Sequence, residues 1–346
     1  MSIKDVAKIA GVSASTVSRV VNGGMDSAAS LDTQKKIWDA VQQVGYSPNQ
    51  HARSLKKPAG AQMSPRQEID CVYARKAGPY LDPFFTTLMH AAEVEAFKYG
   101  YFLRYYYSVE DIKADSFKRA NSDVSSALVL GRPNPDTLDI LRKSYKNIVF
   151  SGLNELDGDV DQVICSGYKA AGICVDYLVS LGHEKICYMG ETTNEQRYKG
   201  YCDAMQKLKL SAPDCYVIDT PFTPTGGYDA VNALMSRKTD FTAIFCANDI
   251  SAVGALKALK EHKLKVPRDI SLIGINDMES VRYLDPMLTT IHVPLEEMGK
   301  MAAKILIDRI EGGHRLAARV EIPSTLKCRE SCSPVKKTTR NASEKS

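Results

Sequence analysis

Apolar residues recur at helical spacing in three short stretches at the start of the chain. In the first stretch they stand three and four positions apart, at Ile3, Val6, Ala7 and Ala10. Gly11 ends this helix and permits a tight turn, and Ser13 is a good N-cap for a second helix over residues 14–22. A third helix, starting near Ser30, carries its apolar face at Ile37, Ala40, Val41 and Val44. Three short helices with a glycine turn between the first two predict a helix-turn-helix unit.

Beyond residue 66 the pattern changes to apolar runs that alternate with helical stretches. The runs predict strands at Ile69–Ala74, Tyr101–Tyr107, Ala127–Leu130, Asn147–Phe150, Lys185–Met189, Tyr216–Asp219, Ala243–Cys246 and Ile270–Ile275. Helices are predicted between them, for example at Pro83–Tyr99, Tyr168–Leu181, Arg197–Leu208, Gly227–Met235, Asp249–His262 and Leu295–Ile310. This order predicts an α/β body with parallel sheets flanked by helices. About 265 residues exceed one ordinary α/β lobe, so we expect two lobes.

Positive charge is concentrated in the first sixty residues. They hold eight Lys or Arg and four Asp, and this excess of four equals the formal net charge of +4 of the whole chain. A basic head on a neutral body indicates contact with a polyanion. The outward face of the second helix carries small hydroxyl residues and Arg19, which suit a helix that enters a major groove and binds guanine. A plain three-helix bundle is the alternative.

The order and spacing of these motifs resemble the head of the lactose/galactose repressor family. The matching segments are residues 3–7, 10–13 and 16–22, followed by a hinge-like segment at 45–55. The resemblance extends from residue 1 to about residue 330. It implies a sequence-specific, ligand-controlled transcriptional repressor that binds a palindromic operator in double-stranded DNA as a homodimer.

The same resemblance implies roles for individual residues of the head and hinge. Bases would be read by Ala14, Ser15 and Arg19. Phosphates would be contacted by Ser13, Thr16, Ser18, Asn22, Thr33, Tyr46 and Asn49. Each hydroxyl could instead be a local cap or a solvated side chain. Ala52 and Leu55 complete the expected DNA-binding set, with Leu55 wedged into a minor-groove step beside its mate; the alternative is a plain linker whose Leu55 docks on the body.

The body resembles the two-lobed periplasmic sugar-binding fold, and the chain divides accordingly. The expected parts are a helix-turn-helix head at 1–46, a hinge helix and linker at 47–66, a body at 67–332 and a disordered tail at 333–346. The first lobe would comprise about 67–165 plus 294–321, and the second about 166–293 plus 322–332. The chain would cross between them near Cys165, Val293 and Ile322. The tail lacks leucine heptads, so a dimer is expected rather than a tetramer.

An effector site is expected in the cleft between the lobes, because ligands of such sheets lie beyond the carboxyl ends of the strands. Residues that follow strands and match the family's effector contacts are Asp82, Phe84, Phe85, Arg197, Phe222, Asn248 and Asn276. Arg197 would bridge sugar hydroxyls, the two Asn would bind further hydroxyls, Phe222 would stack on the ring, and Phe84 and Phe85 would form the opposite wall. Asn276 stands where the family usually has Asp, and it could instead be a turn former. Asp249 and Asp277 are interpreted as helix caps.

Several classes of function find no support in the residues. There is no Gly-Lys-Ser/Thr phosphate loop, no Gly-x-Ser-x-Gly elbow and no nucleophile with its base, so an enzyme is not expected. Nine scattered Cys without a Cys-x-x-Cys indicate a cytoplasmic protein with reduced thiols, and no metal, cofactor or membrane partner is expected. The effector is expected to be a sugar that relieves repression. A purine-like corepressor, a phosphoprotein-driven catabolite regulator and a sugar-binding transport component stay open as alternatives.

Overall fold

A computed structural model describes residues 3–23, 30–44, 67–74, 82–106 and 124–335. The chain separates into two compact units, Met1–Ser64 and Pro65–Ser346. Among the described helices none is long and apolar enough to span a membrane. Tyr46, Asn49, Ala52 and Leu55 lie outside the described residues.

The first unit contains the three helices that the apolar periodicity predicts. They are α1 (Ile3–Ala10), α2 (Ala14–Gly23) and α3 (Leu31–Val44). Gly11 has a φ of 67°, which favours glycine, and Ser13 Oγ accepts a hydrogen bond of 3.1 Å from the backbone N–H of Thr16. Val6, Val17, Val20, Ile37 and Ala40 form the buried core. Burial of these small apolar faces fixes the three helices against one another.

The first lobe of the second unit is built on a six-stranded sheet. Its strands are β1 (Gln67–Ala74), β2 (Tyr101–Tyr106), β3 (Ser126–Gly131), β4 (Asn147–Gly152), β5 (Asp161–Ile164) and β11 (Arg319–Glu321). They lie in the order β11-β5-β4-β3-β1-β2, and every pair is parallel. The helices of this lobe are α4 (Pro83–Lys98), α5 (Pro135–Ser144) and α10 (Leu295–Ile310).

The second lobe repeats this plan. Its strands are β6 (Ile186–Met189), β7 (Val217–Ile218), β8 (Ala243–Cys246), β9 (Ser271–Asn276), β10 (Thr289–His292) and β12 (Thr325–Lys327). They lie in the order β12-β10-β9-β8-β6-β7, with only β12 antiparallel to its neighbour β10. The helices are α6 (Gly167–Ser180), α7 (Gln196–Lys207), α8 (Pro224–Ser236) and α9 (Asp249–Glu261). The predicted α/β fold class with parallel sheets and flanking helices is confirmed.

Three connections join the lobes, and they lie between β5 and α6, between β10 and α10, and between β11 and β12. Cys165, Val293 and Ile322 are in these connections. Each lobe is therefore built from discontinuous segments of the chain. A cleft lies between the lobes, and the carboxyl ends of the strands of both lobes meet there.

Some elements differ from the sequence expectations. Strands β5, β10, β11 and β12 were not expected, because they are only three or four residues long and their polar and apolar positions do not clearly alternate. The strand expected at residues 216–219 is reduced to β7, since a 3₁₀ turn occupies Asp214–Tyr216. Disorder from residue 333 onward is wrong for 333–335: the backbone N–H of Ser333 donates to Ser271 Oγ at 3.1 Å, and that of Val335 donates to Leu181 O at 3.0 Å.

Candidate functional site

All seven residues expected at the effector site line one cavity between the lobes. The free volume inside the cavity is about 40 Å³, and it rises to about 420 Å³ when the open solvent at the mouth is included. Its remaining lining residues, which sequence reasoning missed, are Gly131, Arg132, Gly152, Leu153, Asn154 and Glu195. Parallel strands explain the convergence, because β3, β4, β8 and β9 all end at the cleft.

Helix N-termini position three of the cleft residues. Asp82 Oδ1 accepts from the backbone N–H of Phe84 at 2.9 Å and caps α4. Glu195 Oε1 accepts from the backbone N–H of Arg197 at 3.0 Å and caps α7. Asn248 caps α9 through Oδ1. A capping side chain has a fixed rotamer, so each of these polar groups is held at a defined place in the cleft.

Arg197 and Glu195 form a buried ion pair on the floor of the cleft. Arg197 Nε donates to Glu195 Oε1 at 2.7 Å and Nη2 donates to Oε2 at 2.9 Å, while Nη1 donates to the carbonyl of Ala247 at 2.7 Å. The guanidinium also lies 4.3 Å from the ring centroid of Phe222. Three of its five N–H groups are thus committed within the protein, which leaves two for a ligand. The Arg197 guanidinium, which was expected to bridge sugar hydroxyls, therefore hydrogen-bonds mainly to Glu195.

Arg132 connects the two lobes across the cleft. It follows β3 in the first lobe, and its Nη1 donates to Glu195 Oε2 at 2.9 Å and to the carbonyl of Thr193 at 3.1 Å in the second. Its Nη2 forms an ion pair with Glu191. Asn154 adds a second link, because its Nδ2 donates to the carbonyl of Asn194 at 2.9 Å. Ion pairs and hydrogen bonds therefore hold the two lobes together across the cleft.

The charges on this network reinforce one another. Burial alone would raise the pKa of Glu195, but the positive charges and hydrogen bonds of Arg197 and Arg132 outweigh it and hold the pKa below its usual range. Burial likewise opposes the charge on Arg197, and Glu195 more than compensates, so the pKa of Arg197 is raised. Both groups stay ionised at neutral pH.

Two amide atoms in the cleft have no hydrogen-bond partner among the described residues. They are Nδ2 of Asn248 and Oδ1 of Asn276, and the two residues are only 1% and 4% exposed. Asn248 Oδ1 accepts from the backbone N–H of Ser251 at 3.0 Å, so its Nδ2 must be the atom left over. Buried polar atoms without partners are costly, and such atoms in a cleft indicate a ligand that completes them.

Asp249 and Asp277 are not helix caps, contrary to their interpretation from sequence. Asp249 follows the capping residue; Thr290 Oγ1 donates to its Oδ1 at 2.6 Å, and the backbone N–H of Met278 donates to its Oδ2 at 2.9 Å. Asp277 pairs with Arg329 and, at 3.2 Å, with Arg282. Asn276, expected as a possible turn former, has a φ of 128° and is followed by Asp277 at 56°, so the Asp277 ion pairs anchor a strained turn that presents Asn276.

Aromatic rings form the apolar part of the cavity. Phe84 and Phe85 are buried, with ring centroids 4.8 Å apart in an edge-on arrangement, and Tyr73 packs edge-on against Phe85 at 4.9 Å. Phe222 lies in the second lobe beneath Arg197. Aromatic rings from both lobes therefore offer apolar surface to a ligand that itself has an apolar face.

The described hydroxyl groups expected to contact DNA, those of Ser13, Ser15, Thr16 and Thr33, are engaged in local bonds within the head. Ser13 Oγ lies 2.7 Å from Ser15 Oγ and 2.8 Å from Thr16 Oγ1, and Thr33 Oγ1 lies 2.9 Å from Ser30 Oγ. Ser15 is exposed, and Ala14, with no polar group, is half-buried. Ser18, Arg19 and Asn22 belong to α2, but their side chains lie outside those described.

Comparisons with known proteins identify relatives of both units. Residues 2–49 match bacterial regulatory proteins of the lacI family, and residues 175–332 match the periplasmic binding protein-like domain. The HTH-type transcriptional repressor PurR of Mannheimia succiniciproducens is 33% identical, and the match covers 95% of this chain and 98% of that protein.

Solved structures agree on the fold. The transcriptional regulator CelR–cellobiose complex matches with a TM-score of 0.70 at 23% identity, covering 96% of this chain and 99% of the other. A putative transcriptional regulator LacI from Bacillus cereus subsp. cytotoxis matches with a TM-score of 0.72 at 26% identity, covering 78% and 99%.

Two parallel-sheet lobes with a polar and aromatic cleft between them, preceded by a helix-turn-helix head, define a ligand-binding transcriptional regulator. The chain belongs to the lacI family of bacterial regulatory proteins. It is a DNA-binding transcriptional repressor with a ligand-binding domain, as the sequence predicted.

Proposed function

We propose that this protein is a cytoplasmic, non-catalytic homodimer that represses carbohydrate-utilisation genes until a sugar binds between its lobes. Each dimer places two α2 helices in successive major grooves of a palindromic operator, and the paired hinge segments lie in the minor groove between them. Sugar binding shifts the two lobes and weakens the pairing of the hinges. A coupling of about 1–3 kcal/mol between the two sites is enough to change operator affinity about 5- to 150-fold.

The unpartnered amide atoms of Asn248 and Asn276 carry the sugar assignment. A sugar hydroxyl both donates and accepts, so neighbouring hydroxyls complete an N–H donor and a carbonyl acceptor together. Phe84, Phe85 and Phe222 offer apolar surface for the faces of the ring. The CelR–cellobiose complex supports the assignment, because there a transcriptional regulator of the same fold is in complex with a sugar.

The test begins with selection of genomic fragments that the purified protein binds at near-physiological salt. Fluorescence anisotropy on a selected fragment is then repeated with a panel of mono- and oligosaccharides. We expect one sugar to weaken operator binding at least fivefold. If no sugar on a broad panel changes the anisotropy or gives heat in calorimetry, the sugar assignment is refuted while the DNA-binding role stands.

A purine-like corepressor is the second candidate. It is favoured by the PurR relative, which matches nearly the whole chain, and by the aromatic walls of the cleft. An Asn side chain can also pair with the edge of a purine base. The two candidates differ in the sign of the effect as well as in the ligand, because a corepressor strengthens operator binding. Adding hypoxanthine or guanine to the anisotropy assay distinguishes them.

Arg19 is proposed to read a base from α2. Arg19→Ala should cost about 1–3 kcal/mol of operator affinity and relax specificity at one base pair. Thr33→Ala is the matched control, because loss of a phosphate contact weakens binding to all sequences alike. Binding profiles on a randomised operator library measure both effects. An unchanged profile for Arg19→Ala contradicts the base-reading role.

A further inference from the structure

The cleft contains cations, but carboxylates already neutralise them. Arg197 is paired with Glu195 through two hydrogen bonds and also feels the charge of Asp82. Arg132 is paired with Glu195 and Glu191. Around the cavity, the described residues thus place two guanidinium groups against three carboxylates.

This balance disfavours an anion in the cleft. A phosphate or carboxylate that enters must give up its hydration, and the excess of carboxylates over guanidinium groups around the cavity repels it. Here an anion would meet a guanidinium whose charge Glu195 already balances, in an ion pair that is almost fully buried, with side-chain exposures of 8% for Arg197 and 1% for Glu195. An uncharged ligand meets no such cost.

Two neutral amide groups provide the buried side-chain atoms of the cleft that have no partner among the described residues. Asn248 Nδ2 is a donor and Asn276 Oδ1 is an acceptor, and both line the same cavity as the aromatic rings. An Asp at position 276 would add a further negative charge to the cleft, whereas Asn276 is neutral. The cleft therefore combines a neutral donor, a neutral acceptor and apolar walls.

We propose that the effector is an uncharged ring compound that offers an acceptor to Asn248 and a donor to Asn276, and that phosphorylated and carboxylated relatives of that compound are rejected. This inference rests on the proposed function, since it concerns the chemical class of ligand for the same cleft. It includes free sugars and free purine bases and excludes sugar phosphates, sugar acids and nucleotides.

The first experiment separates ligands by charge. A bacterial metabolite extract is divided on an anion-exchange column at pH 8, and the unretained and retained fractions are added separately to the full-length protein. Thermal shift and native mass spectrometry record binding. We expect the unretained fraction to raise the melting temperature and the retained fraction to leave it unchanged. A shift with the retained fraction, or with neither fraction, overturns the proposal.

Two matched substitutions test the roles of the amides. Asn248→Asp keeps the capping oxygen of α9 but replaces the donor with an acceptor. The amount of unretained fraction that gives a half-maximal shift in melting temperature should therefore rise at least tenfold. Asn276→Asp keeps the acceptor, and the same measure should change less than threefold. Equal losses in both variants contradict the assigned donor and acceptor. Circular dichroism verifies that both variants are folded.

The result is distinguishable from failure of the proposed function. Binding to selected genomic fragments is measured without any effector. If the protein binds those fragments and an anionic compound changes the affinity, the regulatory role stands and the uncharged class is wrong. If it binds no fragment, the proposed function fails whatever the cleft binds.

Discussion

Replacing Glu195 with Gln would leave two guanidinium groups facing a neutral amide on the floor of the cleft. The side chains of Arg197 and Arg132 are 8% and 16% exposed, so neither can recover full hydration by a small movement. The substitution preserves side-chain length and one acceptor oxygen. It removes the charge that both arginines share and one of the acceptors that they use.

The expected loss of stability follows from this burial. Removing one partner of a buried ion pair costs about 3–5 kcal/mol, and the oxygen retained by Gln places Glu195→Gln near about 3 kcal/mol. For a domain of more than about 250 residues, this lowers the melting temperature by roughly 5–10 °C. Glu321→Gln is the control, since it breaks the solvent-exposed pair with Lys169 and should shift the melting temperature by less than the error of the measurement.

Differential scanning calorimetry of the full-length protein measures both variants at pH 7. A fall of less than about 2 °C for Glu195→Gln would refute the claim that the network is desolvated and dependent on this carboxylate. In the variant Arg197 also loses the carboxylate that pairs with it, and the excess of negative charge around the cavity is removed, so the variant should bind the retained metabolite fraction that the unaltered protein rejects. Unchanged rejection of that fraction would contradict the electrostatic explanation of ligand class.

Two further predictions concern the second lobe. Gly227→Ala should lower the free energy of unfolding, measured by chemical denaturation, by about 1–3 kcal/mol, because a Cβ there would overlap the carbonyl oxygen of Ser251 where α8 meets α9. Gly172→Ala is the control and should cause no loss, because there is open space around that position in α6. Equal effects of the two substitutions would contradict the close approach of α8 to α9. Burial raises the pKa of Asp249 to about 7, against Thr290 and other groups that lower it, so the folded protein keeps a proton that the unfolded chain releases near pH 4. The contribution of Asp249 to the free energy of unfolding should therefore be lost as pH rises from about 4 through about 7. Asp249→Asn should remove this pH-dependent contribution. Parallel pH profiles of melting temperature for the variant and the unaltered protein would show that Asp249 does not titrate in this range.

Local regularities made the head and much of the body predictable. The stripe of Val6 and Ala7, the turn at Gly11 and the cap at Ser13 lie within a few residues of one another, and each was visible in the sequence. Several residues that line the cleft could also be predicted, because Asn248 lies two residues beyond β8, Asn276 ends β9, and the carboxyl ends of these strands meet at one edge. The same rule applied to β3 points to Arg132, which sequence reasoning missed.

Other features depend on pairs that are far apart in the chain. Arg132 and Glu195 are separated by 63 positions, and no local pattern couples them. Asp277 looks like a cap in sequence, but its partner Arg329 arrives from the end of the body. Short strands such as β11 were missed because three residues carry no detectable periodicity, and their strand conformation is stabilised by the neighbour β5.

The sequence by itself determined the type and order of the longer elements, the parallel α/β architecture and seven of the residues that line the cleft, because these follow from periodicity and from the direction of strands. Only the tertiary structure decided how those side chains are used. In it, Arg197 pairs with Glu195 and Arg132 links the two lobes. The charged groups are paired, and amide atoms of Asn248 and Asn276 lack hydrogen-bond partners among the described residues. The physical reason is that hydrogen bonding and charge neutralisation in a buried cleft depend on distances of about 3 Å between segments that the linear chain does not relate.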